Sequence, residues 1–240
     1  MTSRLRICFS LLAIAPLGAA SVSGRVELRD SREATVRKAK NYSGVVVWLE
    51  PAPRNAPRAP AAGLHAKMIQ KDKTFIPHVL AITVGTTVDF PNLDPIYHNA
   101  FSNYDGQLFD VSLYPPGSSR SVRFTRPGIV RVFCNIHASM SAVIVVLDTP
   151  YFAVTGANGA FEISNAPAGQ YTMKVFHERA TQATLDALSR PVTVTDDDDA
   201  VLPPIVISES GYLPIPHKNK FGHDYPPAPD EGGMYPTPRK

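Results

Sequence analysis

The chain has 240 residues, with 24 basic against 21 acidic side chains and a formal charge of +3. So small an excess excludes the basic stripe of a nucleic-acid binder. Twenty-three prolines and 15 glycines, set among short Val/Ile/Thr/Phe runs, predict an all-β chain.

Arg4 and Arg6 precede the apolar run Ile7 to Leu17 and the small residues Gly18-Ala19-Ala20. This is the pattern of a secretory signal peptide over residues 1–20, cleaved after Ala20 and too short to span a membrane. An N-terminal anchor is the alternative reading. No later apolar stretch approaches membrane length, so the expectation is a periplasmic or secreted protein. Removing residues 1–20 takes away two arginines and no acids, leaving 22 basic against 21 acidic residues, or +1. Cys8 goes with the leader, and Cys134 becomes the only cysteine. A single cysteine in an exported protein points to an intermolecular disulfide, a reactive thiol or a metal ligand. The bland alternative is a small buried hydrophobe.

Strands are predicted at Val45–Leu49, Thr86–Phe90, Ser121–Phe124 and Ile129–Phe133, and the residues from Pro51 to Pro60 form an exposed loop. Met68 alternates with Ala66 and Gln70 on a strand, which assigns it to the core. His65 and His78 read as surface or satisfied polar residues, with approach to a metal site as the alternative. The run Ala142 to Leu147 is apolar without alternation, as expected of a strand covered on both faces. A boundary at Asp148-Thr149-Pro150 divides a first module, 21–148, from a second, 149–208. In the second, Asn158-Gly159 is a hairpin-turn signal, and Pro167-Ala168-Gly169 marks another turn. His177 lies on a strand there and reads as structural. Thr181 to Leu188 allows one or two helical turns, and Asp196 to Asp199 form a solvated turn. The tail, 209–240, is rich in proline and tyrosine. It is either disordered or laid along the body by Tyr212, Phe221, Tyr225 and Tyr235.

The most specific signal is Phe133-Cys134-Asn135-Ile136-His137-Ala138-Ser139-Met140, which reads Cys-x2-His-x2-Met. Three donors within seven residues fit one loop between two strands. With His98 upstream, the set becomes two imidazoles, a thiolate and a thioether, the ligands of a blue-copper electron-transfer site. Thiolate and thioether favour Cu(I), and imidazole suits Cu(II) as well. Zinc is the competing metal, although methionine is a poor zinc ligand.

These residues resemble the cupredoxin family, copper proteins built on a Greek-key β-sandwich. The matching features are His98-Asn99 at a strand end, the lead-in Gly85-Thr86-Thr87-Val88-Asp89-Phe90-Pro91-Asn92, and the strand Val130-Arg131-Val132-Phe133 running into Cys134. The loop spacing is similar to that of amicyanins, and the wider stretches look like cupredoxin-like proteins labelled methylamine-utilisation proteins. The resemblance implies a single type 1 copper held by His98, Cys134, His137 and Met140, the last as a weak axial ligand. His98, 36 residues before Cys134, takes its ligand role from this likeness; otherwise it is a strand-end surface histidine. The likeness also gives Asn99 the task of joining the two ligand loops and donating to the cysteine sulfur. Residues Asn158-Gly159-Ala160-Phe161 and Pro167-Ala168-Gly169-Gln170-Tyr171 resemble a carboxypeptidase-regulatory or transthyretin-like sandwich, a module that is usually not catalytic. Ser23-Gly24-Arg25-Val26 and Gly44 to Leu49 look like opening strands of such a sandwich, so they are open to pairing with either module.

The implied function is one-electron transfer with a cytochrome or dehydrogenase, docking at a His137 edge framed by Ile136, Ala138 and Pro95. Copper delivery or sensing without electron transfer is the first rival, and a purely structural β-sandwich the second. An enzyme is not expected. Ser139 and Ser141 lack a base and carboxylate, no glycine-rich phosphate loop occurs, and there is no His-x-His pair. His217 and His223 in the tail have no recognised metal-site spacing.

Overall fold

The computed structural model describes residues 20–52, 63–103, 106–195, 199–214 and 216–226. The expected leader, save Ala20, lies outside them. So do most of the loop from Pro51 to Pro60, Asp196 to Asp198, and the tail beyond residue 226, with Tyr235.

In chain order the elements begin with β1 (Ala20–Arg29), α1 (Ala34–Ala39), β2 (Val46–Pro51) and β3 (His65–Lys67). Next come β4 (Ile69–Lys71), β5 (Thr74–Ile76), β6 (Val79–Thr83), β7 (Thr87–Pro91), β8 (Phe101–Ser102) and β9 (Phe109–Asp110). The middle of the chain gives β10 (Ser119–Arg123), β11 (Gly128–Phe133), β12 (Ser141–Leu147), β13 (Phe152–Val154), β14 (Ala160–Ala166) and β15 (Gly169–Phe176). Last are α2 (Gln182–Ala187), β16 (Arg190–Val194), β17 (Ala200–Val201) and β18 (Ile205–Ser208). Among the described residues the fold is all-β apart from two six-residue helices. The expected helix is present as α2, whose N-cap Thr181 accepts a hydrogen bond from the Thr184 amide. The unexpected one, α1, closes on Lys40 in the left-handed region.

Two apolar cores organise the strands. One lies between the sheet β6-β12-β11-β8-β9 and the sheet β10-β7-β3, and contains Met68, Phe90, Phe124, Val130, Val132, Cys134 and Met140. The other joins β14-β1-β17, with β18 also on β1, to β13-β2-β15-β16, and contains Val26, Leu49, Ile163, Met173 and Ile207. Strand β12 borders both. Ala142, Ile144 and Val146 belong to the first core, while Val143, Val145 and Leu147 belong to the second. Side chains alternate across a strand, so the unbroken apolar run predicted to be covered on both faces is a wall shared by two cores.

The pairing moves the expected boundary. β1 pairs with β14, β17 and β18, and β2 pairs with β13 and β15, so residues 20–52 side with the strands after 148 and not with the first module. The reason is in the side chains: Val22, Val26, Leu28, Val46 and Leu49 have their apolar complement in Phe161, Ile163, Met173 and Ile205. The Asn158-Gly159 turn is also different from expectation. It forms, with Gly159 at φ 76°, but β13 and β14 enter separate sheets instead of a hairpin. Gly159 is required there because its carbonyl accepts from the Val26 amide, and a Cβ would sit 2.1 Å from the Val26 oxygen.

Candidate metal centre

Strands β11 and β12 are antiparallel, with Phe133 opposite Ser141, so Cys134 and Met140 occupy the two bases of the connecting loop and His137 its tip. Two backbone bonds close the loop, Cys134 N–H to Met140 O (3.2 Å) and Met140 N–H to His137 O (3.0 Å). Both base side chains point into the first core and are fully buried. The Cys-x2-His-x2-Met spacing is thus the spacing of a tight inter-strand loop with two inward bases and one outward tip.

His98 arrives from the loop that follows β7. It is buried and bridges to Tyr114, whose N–H donates to the His98 carbonyl (2.9 Å). Asn92, also buried, shapes that loop by donating to Ile96 O and accepting from the Asp94 amide. The outcome is a cluster in which His98 Nδ1 lies 3.1 Å from His137 Nδ1 and 3.9 Å from Cys134 Sγ, with His137 Nδ1 3.6 Å from that sulfur. Among the described residues this is the one grouping of three histidine, cysteine or acidic side chains able to share a metal ion. Metal bonds of about 2.0 Å to nitrogen and about 2.3 Å to sulfur, spread evenly around an ion, give edges of roughly 3.5–3.7 Å. The cluster fits a metal by size as well as by donor type.

Protonation supports the same reading. His98 Nε2 donates to Asp94 Oδ2 at 2.7 Å, which leaves Nδ1 with its lone pair facing His137 and the sulfur. Burial pushes the His137 pKa down to about 4, so its ring is neutral near pH 7. Burial raises the Cys134 thiol, while the amides of Asn99, Ile136 and His137 point at the sulfur and favour the thiolate. The three donor atoms lie close enough together to share one cation, and a metal ion bound there would displace the thiol proton.

Asp94 is the functional residue that the sequence reading missed. Its carboxylate is buried, and it accepts from the amides of Asp72 (2.6 Å) and Lys73 (2.9 Å) as well as from His98. Those amides come from the β4–β5 turn, where Asp72 and Lys73 both have φ 53°. Burial works against the charge, but the Lys73 amide, the His98 ring and the Asp72 amide hold the Asp94 pKa below the usual carboxylate range. The available signal was a carboxylate four residues before the histidine, a spacing with no meaning until the loop geometry is known.

Asn99 joins the two ligand loops as expected, its Oδ1 accepting from the Asn135 amide at 2.5 Å. Of the three clustered donors, His98 and Cys134 are fully buried, and His137 alone is partly open to solvent. On the two loops that carry the histidines, Leu93, Pro95, Tyr97, Ile136 and Ala138 are exposed. The other histidines supply no atom to this cluster. His65 meets Asp89, His78 bonds to Ser141 O and Glu178, and His177 is buried against Glu209. His217 stacks on Phe133.

No family model matches the chain, and no curated protein does. Among solved structures, part of it is similar to a purple cupredoxin from Nitrosopumilus maritimus, at 26% identity and a TM-score of 0.32 over 34% of this chain and 99% of that one. A copper-containing nitrite reductase from Thermus scotoductus SA-01 gives 28% identity and a TM-score of 0.34, over 38% of this chain and 25% of that one. Amicyanin gives 20% identity and a TM-score of 0.33, over 42% of this chain and 98% of that one. Among the described residues no helix is long and apolar enough to cross a membrane. The three converging donor atoms, rather than these partial overlaps, carry the functional reading.

Proposed function

We propose that the chain is an exported, mononuclear type 1 copper protein that passes single electrons between redox partners. The observation that carries this reading is the convergence of His98 Nδ1, His137 Nδ1 and Cys134 Sγ beside the buried Met140. Imidazole, thiolate and thioether together select copper over zinc, for which methionine is a poor ligand. When bound, copper supplies a one-electron Cu(II)/Cu(I) couple. The residues of the chain do the rest. His98, Cys134 and His137 are the primary donors, and Met140 is a weak fourth. Asp94 fixes the His98 tautomer, while Asn99 and the loop amides hold the sulfur in place. The first core excludes water from the buried side. His137, partly exposed among Ile136, Ala138, Pro95 and Tyr97, is the exit for the electron, and that apolar edge is the docking face for a cytochrome or dehydrogenase. Such encounters bury little surface and are brief. The second sandwich, which resembles transthyretin-like modules, serves as non-catalytic cover.

The test is the visible spectrum of the copper-loaded protein. Intense blue or green colour from thiolate-to-Cu(II) charge transfer is expected, and Cys134→Ser should abolish it, since no other cysteine survives export. Strong colour in the serine variant places the chromophore elsewhere and overturns the assignment. Rapid loss of copper to a competing chelator, without reversible redox cycling, favours delivery over electron transfer.

A further inference from the structure

The tail does not run away from the body after β18. Its root is Glu209, buried and held by Ser31 Oγ (2.6 Å), His177 Nε2 (2.9 Å) and Arg179 Nη2 (3.1 Å). Farther on, residues 219–223 form a closed turn: Asn219 Oδ1 accepts from the Phe221 and His223 amides, and the Asn219 amide donates to His223 O. Lys218 and Asp224 pair across the ends of that turn. This folded segment lies on the metal loop. The His217 ring stacks on Phe133 with centroids 4.0 Å apart and planes at 23°, and its Nε2 donates to Ala138 O at 2.8 Å. Tyr225 donates its hydroxyl proton to Cys134 O at 2.7 Å. The Lys220 amide donates to Asn135 Oδ1 at 2.9 Å, and its ammonium meets Asp110 at 2.8 Å.

These contacts are where the loop lacks partners of its own. The two backbone bonds inside the loop use the carbonyls of His137 and Met140. The tail supplies donors to two others, Cys134 O and Ala138 O. It also closes a circuit. Asn99 accepts from Asn135, Asn135 accepts from Lys220, Lys220 pairs with Asp110, and Asp110 accepts from Asn99 Nδ2 at 3.4 Å. That ring ties the tail to the histidine loop and the cysteine loop together, and leaves the His137 tip uncovered.

We propose that residues 217–225 are a strap that holds the Cys134–Met140 loop in its metal-binding form before metal arrives, with His217 and Tyr225 as its positioning residues. The inference deepens the copper reading of the same site. A loop already bonded in place shifts little between oxidation states and opens rarely to release its ion, so metal retention depends on a segment 77 or more positions away in sequence, as from Met140 to His217. Deleting the two side-chain donors frees two loop carbonyls, and the loop then opens locally at low cost.

The test compares the full-length protein with Tyr225→Phe and with the double variant carrying Tyr225→Phe and His217→Ala. In metal-free protein, amide hydrogen exchange at Cys134 and Met140 should accelerate at least about tenfold in the double variant, while Leu49 and Val175 in β2 and β15 exchange as before. In copper-loaded protein, transfer to a chelator should accelerate by a similar factor, with a shifted reduction potential. Loop amides and chelator transfer at wild-type rates overturn the proposal, and so does equal acceleration in the loop and in β2 and β15. Tyr225→Phe removes only one hydroxyl group and decides the matter if the double variant does not fold. Wild-type protein that binds no copper sinks the copper reading alone, because exchange in the metal-free protein still judges the strap.

Discussion

Asp94 shows how much of this site depends on a residue that is not a ligand. Its carboxylate is shared among two turn amides and the His98 ring. Held negative beside an imidazole ligand, it favours the more positive oxidation state of a bound metal. Asp94→Asn keeps the shape and removes the charge. We expect Cu(II) retention to weaken by about 10- to 100-fold, with the reduction potential rising by about 59 mV for each tenfold loss that Cu(I) does not share. Potentiometry on the variant checks this, and an unchanged or lower potential contradicts it. Met140 is a separate case. Met140→Leu should keep copper and colour while raising the potential, because removing a weak donor disfavours Cu(II). Loss of all copper would make Met140 a primary ligand. The Cys-x2-His-x2-Met donors were legible in the sequence because spacing alone puts them on one loop. Asp94 and His217 were not, because their partners lie across turns and strands whose pairing no local pattern encodes. Tyr225 was legible only as one of four aromatics able to lay the tail along the body, with no sign that it would meet Cys134 O.

At the scale of elements, the ends of β1, β15 and β18 meet in a buried ionic cluster. Glu209 just past β18 accepts from Ser31 beyond β1 and from His177 and Arg179 after β15. Burial opposes the Glu209 charge, but Arg179, Ser31 and His177 more than offset it and hold its pKa below the ordinary 4.5. Burial also lowers the His177 pKa below its ordinary 6.5, against the pull of Glu209. Both shifts have one sign for stability. The unfolded ring takes a proton below pH 6.5 that the folded ring refuses. The unfolded carboxylate likewise takes one below pH 4.5 while the folded one stays charged. Each contribution is therefore complete above the unfolded value and is lost as the pH falls through the folded one. Glu209→Gln should cost about 2 kcal/mol near neutral pH, because it removes the charged acceptor shared by the buried Ser31 and His177 and by the half-buried Arg179, which keeps Glu178. The gap from wild type should shrink on acidification through the carboxylate range. Urea unfolding of metal-free protein between pH 8 and 4 measures it, and a pH-independent gap rejects the cluster as its source. The strands themselves were readable from their Val/Ile/Phe content, and β12 from its unbroken apolar run. Which strand pairs with which was not, since β1 and β2 look alike to either sandwich until their buried faces find complements.

For the whole molecule, the shared wall decides whether the metal module stands alone. A fragment of residues 21–148 contains His98, Cys134, His137 and Met140, and a boundary after Asp148 would make it self-sufficient. The pairing argues otherwise. Such a fragment strips β1 of β14, β17 and β18, and β2 of β13 and β15, leaving two strands with open edges. It also uncovers the second face of β12, where Val143, Val145 and Leu147 lose much of their apolar cover, and it removes the tail that bonds the ligand loop. An exposed apolar sheet face beside unpaired edges is an aggregation surface. We expect the fragment to be largely insoluble, and any soluble portion to give no dispersed amide spectrum and no copper colour. Residues 21–226, which keep both cores and the strap, should behave as the full-length chain does. Soluble yield, amide dispersion and the copper spectrum of the two fragments separate the cases. A folded, blue 21–148 fragment would show that the first core closes without its neighbour and that β12 tolerates water on its second face.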